Sequence, residues 1–206
     1  MTTPLDLLNR AVYFELSQAD YKRSVRAAVR GLWSGKLDRF GFFESLGISI
    51  ERGFERAWRE GAAVCGILPD ERKPDEQDAL TRMINAQFPY IAGFADAIEA
   101  GSKANKGLLR PQMRRAELWI SRYGEVKDRA QSISCADLKL KWSLGPSVEH
   151  CKSCLKLNGQ VRRASMWEKA QIWPKHPDLE CGGFNCKCTR TPTTDPLSRG
   201  RMPKIP

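Results

Sequence analysis

Apolar residues in the first two thirds of the chain recur at the three- and four-residue spacings of a helix face. Val25, Ala28, Val29, Leu32 and Trp33 form one such stripe, with Arg and Lys between its members. Phe40, Phe43, Leu46, Ile50, Phe54 and Trp58 continue the pattern. Gly47 inside this run predicts a break into two shorter helices, since glycine costs about 1 kcal/mol in a helix interior. Gly66–Pro74 reads as a connection, and a further helix is expected from about Asp75, where acidic residues after a proline suit the positive end of the helix dipole. Its apolar face comprises Leu80, Met83, Ile84, Phe88, Ile91, Phe94 and Ile98. Pro89 falls within it and should kink or divide it. After the loop Gly101–Gly107, Pro111 opens another helix, with Met113, Ala116, Ile120, Tyr123, Val126, Ala130 and Ile133 on one face.

Near Ser134 the period switches to two. Leu138, Leu140, Trp142 and Leu144 alternate with Lys139, Lys141 and Ser143, the signature of a half-buried strand, which stops at Gly145-Pro146. The change marks a boundary between a helical domain over 1–135 and a small module over 136–192. The C-terminal stretch, 193–206, is basic, proline-rich and aperiodic. It reads as an extended arm that orders only against a partner. The expected fold is thus a mainly α N-terminal domain, then a small α+β module stapled by zinc, then that arm. The module is poor in large apolar residues, and a segment of about 60 residues with so small a core needs a staple.

The 206 residues carry a net charge of +10. From Leu138 onward there are 13 Lys/Arg against 5 Asp/Glu, so the last third holds +8 and the first 137 residues only +2. That bias points to an anionic partner, nucleic acid or an acidic protein surface. No stretch approaches the roughly 18 unbroken apolar residues of a membrane helix, which argues against a membrane partner. The N-terminus, MTTPLDLLNR, lacks the basic and apolar regions of an export signal. A reducing compartment is therefore expected, where clustered thiols bind metal more often than they pair.

Two of the seven cysteines, Cys65 and Cys135, stand alone; the other five crowd into C-x2-C (Cys151, Cys154) and C-x4-C-x-C (Cys181, Cys186, Cys188), 26 residues apart. Two thiolates separated by two residues grip one ion from a tight turn, and a remote pair completes a tetrahedron. Closed thiolate coordination suits a structural zinc ion and leaves no open position for substrate. Cys151 and Cys154 are the firmest ligands, two of Cys181, Cys186 and Cys188 suffice for the rest, and His150 and His176 stand in reserve.

Enzyme templates fit poorly. The H-x-E…P-C-x-x-C pattern of zinc deaminases is absent, as are H-E-x-x-H and a phosphate-binding G-x-x-x-x-G-K-[ST] loop. Cys181 with His176 is the one nucleophile and base pair available, but a solvent-facing His176 is the simpler reading. No catalytic residues are assigned, and the expectation is a protein without enzymatic activity. Trp119, Trp142, Trp167 and Trp173 read as the small module's core rather than as base-stacking platforms. Arg162, Arg163, Lys169, Lys175, Lys187 and Arg190 cluster around the cysteines and are the candidate partner-binding residues.

Residues 138–192 resemble the C-terminal module of tailed-phage head-morphogenesis proteins, the minor head proteins grouped as Mu F-like. The shared features are a strand before the site, C-x2-C followed by L-x-L-x-G (Cys151, Cys154, Leu155, Leu157, Gly159), and N-C-x-C-T (Asn185, Cys186, Cys188, Thr189) leading into Pro192. Where that family has His-Pro, this chain has Gly183 and Phe184, and the resemblance implies that Cys181 takes the missing histidine's place. It further implies a virion component present in few copies, found in the host cytoplasm during assembly. Such a protein acts near the portal or inner capsid on portal or capsid proteins and packaged DNA. A zinc-dependent nucleic-acid-binding regulator is the rival reading.

Overall fold

The structure, a computed structural model, describes residues 17–146, 149–184 and 186–205. Residues 1–16 of the expected helical domain, and Asn185 of the N-C-x-C-T motif, lie outside the described residues. The elements run α1 (Gln18–Ser34), α2 (Arg39–Ala62), α3 (Pro74–Asn85), α4 (Phe88–Ala100), α5 (Leu109–Ser134), β1 (Lys139–Ser143), α6 (Lys152–Leu157), β2 (Val161–Arg163), α7 (Ala164–Lys169) and β3 (Thr189–Pro192). The chain is mainly helical with a small antiparallel sheet near its C-terminal end, the fold class that the switch of period predicts. Among the described residues, no helix is long and apolar enough to cross a membrane.

Local chemistry sets some of the helix ends. Ser17 caps α1, its Oγ accepting from the Asp20 N–H at 3.2 Å. Pro89 divides the run as expected: α3 stops at Asn85, α4 starts at Phe88, and the proline sits in the first turn, where its missing N–H is not needed. Gly47 does not break α2, which is continuous through it. Leu46 and Ile50 beside it are fully buried, and each such burial stabilises by about 1.5–3 kcal/mol, more than the glycine costs. The buried stripe of α2 begins at Phe42, not at Phe40, which is 76% exposed.

The chain divides into two compact units, Met1–Ala57 with Gln77–Gly124 and Trp58–Glu76 with Glu125–Pro206. Among the described residues, the regular elements of the first are all helices. Tyr21, Val25, Val29, Leu46, Phe54 and Ile91 are fully buried in it, Phe94 stacks on Trp119, and the Tyr21 hydroxyl donates to the Trp119 carbonyl at 2.9 Å. Trp119 therefore belongs to the helical core and not to the cysteine module.

The second unit holds the sheet, in the order β2-β1-β3. Central β1 pairs antiparallel with both neighbours, Leu140 opposite Arg162 and Pro192, Trp142 opposite Arg190. Leu140 and Trp142 point into a core shared with Leu157, Ala164, Trp167, Ile172, Leu179 and the cysteines. Trp142 and Trp167 lie 5.7 Å apart, and Trp167 Nε1 donates to the Leu140 carbonyl. Cys65 and Cys135, isolated in sequence, form a disulfide with Cα atoms 5.7 Å apart. Their separation of 70 residues hides the pairing from any local pattern.

The arm is ordered against its own chain, which corrects the expectation that it needs a partner. Ser198 N–H donates to the Val161 carbonyl and Val161 N–H to Ser198 Oγ, extending the β2 edge. Arg162 donates to the carbonyls of Ser198 at 2.6 Å and Gly200 at 3.0 Å, while Lys141 pairs with Asp195 at 2.9 Å. Met202 and Ile205 pack on the core.

Candidate metal centre

The first sulfurs come from the start of α6. Cys151 is its N-cap, in extended conformation, and its Sγ accepts from the Cys154 N–H at 3.5 Å. The turn thus aims both side chains to one side and supplies an N–H to the sulfur that leads it. Cys181 is brought to them by two fasteners between α6 and the loop before β3. Lys152 N–H donates to Glu180 Oε2 at 2.6 Å, and Glu180 N–H donates to the buried Ser153 Oγ at 3.0 Å. Cys186 and Cys188 arrive from the other side, at the approach to β3. Two glycines permit the close passage of this loop. At Gly183 (φ +74°) a Cβ would stand 2.2 Å from the Lys175 carbonyl, and at Gly145 it would stand 2.1 Å from that of Lys187.

The five thiols converge as the spacing predicts. They form two groups, Cys151–Cys154–Cys181 and Cys154–Cys186–Cys188, with the sulfurs of each group within 4.8 Å of one another. Cys154 belongs to both, and its sulfur lies 3.9 Å from that of Cys186. Cys154, Cys186 and Cys188 are buried, Cys151 and Cys181 half-buried. The Cys154 and Cys186 sulfurs are hydrogen-bonded to each other. This hydrogen bond is the largest influence on both, pulling the Cys186 thiol down, against burial, and pushing Cys154 up together with burial. Burial alone would raise Cys151, but hydrogen bonds from Cys154 and Cys181 hold it below its ordinary value. Burial raises Cys181 to about 11 and also raises Cys188. A cluster of soft donors, three of them out of water and part of it ready to ionise, fits a thiophilic ion and could hold one.

The histidines stand outside both sulfur groups. His176 is buried, not solvent-facing: its ring meets Trp173 edge-on at 4.1 Å, and Nδ1 accepts from the Asp178 N–H. The basic residues separate into two kinds. Arg163, Lys169 and Lys187 are exposed, Arg163 pairing with Asp137, and Lys175 is half-buried. Arg162 and Arg190 are each only 3% exposed, which corrects their expected role as partner contacts. Arg162 holds the arm. Arg190 donates to the carbonyls of Ile172 and Asp128. Isolated arginines in a basic segment carry no sequence signal of this inward use. Ser153 and Glu180, which position the site, are equally silent, because a lone Ser or Glu implies nothing until the loop folds back. No family model, curated protein or solved structure matches the chain.

Proposed function

We propose that this chain is a tailed-phage minor head protein of the Mu F-like type, without enzymatic activity, whose C-terminal unit is stapled by structural zinc. The observation that carries the reading is the approach of Cys154 and Cys186 to 3.9 Å across 32 residues of sequence, beside a strand and within the cysteine spacing on which the resemblance rests. Thiolates around zinc fix a rigid knuckle, and the binding energy of the ion becomes folding energy of the unit. Exposed Arg163, Lys169 and Lys187 then face an anionic partner, a portal or capsid surface or packaged DNA. In this reading the protein resides in the virion, and in the host cytoplasm while heads assemble.

The test is co-sedimentation of the purified chain with assembled heads, alongside elemental analysis. Association with heads and at least one zinc per chain are expected. A metal-free, fully folded chain absent from purified particles contradicts the reading. The exposed basic residues also support the rival reading, a zinc-dependent nucleic-acid-binding regulator. That role predicts binding to free duplex, with affinity falling steeply in salt by a slope of about 0.9 per phosphate contacted.

A further inference from the structure

A single tetrahedral zinc needs four sulfurs, yet five converge here. Their arrangement is not four mutually close sulfurs plus a bystander, since no four of them lie within 4.8 Å of one another. It is two triads joined at one corner, Cys151–Cys154–Cys181 on the half-exposed side and Cys154–Cys186–Cys188 on the buried side. Two three-sulfur sites with one shared ligand use five donors and leave none over. We propose that the cluster takes two thiophilic d10 ions, one in each triad, with the Cys154 sulfur as their common ligand. This rests on the metal reading above and specifies its stoichiometry.

Charge is compatible with the same count. With all five thiols ligating, five negative charges enter a largely buried cluster, and uncompensated buried charge is costly. One divalent ion offsets two of them; two offset four, leaving a single charge, and exposed Lys156 and Lys187 lie nearby in sequence. Each triad leaves a four-coordinate ion one position for a small donor such as water.

The full-length protein, its Cys65–Cys135 disulfide intact, is stripped of metal and titrated with Cd2+, with the cadmium–thiolate charge-transfer band and native mass spectrometry read together. Two ions per chain are expected, with two 113Cd resonances coupled through the shared sulfur. Cys181→Ser and Cys188→Ser should each retain one ion, from opposite triads. Saturation of the wild-type protein at one ion overturns this inference and leaves the single-metal reading standing. No thiolate-bound ion at all overturns both. Two uncoupled resonances overturn the shared ligand even where the count is two, and the wild-type readouts decide the matter if either variant fails to fold.

Discussion

Arg162 is the residue whose role changes most on folding. A planar guanidinium can meet several carbonyls at once, which a point charge cannot, and here it gathers Ser198 and Gly200 from the arm together with Gln160 Oε1 at 2.9 Å. Arg162→Ala should cost about 2 kcal/mol, the scale of charged hydrogen bonds lost, and should speed tryptic cleavage at Arg199 and Arg201. Arg162→Lys should recover only part of either effect. Denaturant unfolding and limited proteolysis read both. Gly183 makes a second demand at this scale. An alanine there costs about 1–2 kcal/mol for left-handed backbone and meets the Lys175 carbonyl besides. Gly183→Ala should therefore weaken metal binding about tenfold or more in competition with a chelator. Asp128 makes a third. Burial pushes its carboxyl up to about 6, although Arg190, Lys175 and Lys127 pull the other way. Between about pH 4 and 6 the folded state keeps a proton that the unfolded chain releases. Asp128 therefore makes stability fall as pH rises through that window, by about 3 kcal/mol, and has no further effect above it. Asp128→Asn does not titrate, so its stability relative to the wild type should climb between pH 4 and 6 and then level off, as urea midpoints would record.

Among the elements, those with strong periodicity were legible from their residues: the helices, the division at Pro89, and β1. The misreadings share a physical cause, namely that partners remote in sequence decided the outcome. Gly47 stays helical because the burial of Leu46 and Ile50 against other elements outweighs its propensity. The arm is fixed by a β2 edge that composition does not reveal. The disulfide ties the segment after α2 to the end of α5. Loop closure over about 70 residues corresponds to about 4 kcal/mol, so reducing the bond in the metal-bound protein should lower the stability of the second unit by roughly that amount. Calorimetry with and without reductant, and on Cys65→Ser with Cys135→Ser, measures it.

In the molecule as a whole, chemistry concentrates in the second unit: the sheet, the disulfide, the five free thiols and the strongly basic stretch from Leu138 onward. The cysteines were legible because metal-ligand spacing is a local pattern repeated at a distance. What the spacing did not carry is how the five divide, since that depends on the Ser153 and Glu180 fasteners and on the passage at Gly145 and Gly183. The central claim is that these thiols are the donors of a metal centre, and X-ray absorption at the metal edge of the purified protein addresses it most directly. Coordination by sulfur alone, or by sulfur with one light atom, at about 2.3 Å for zinc is the expected result. Coordination by only nitrogen and oxygen, or protein that folds with all five thiols free and no metal bound, would contradict the account.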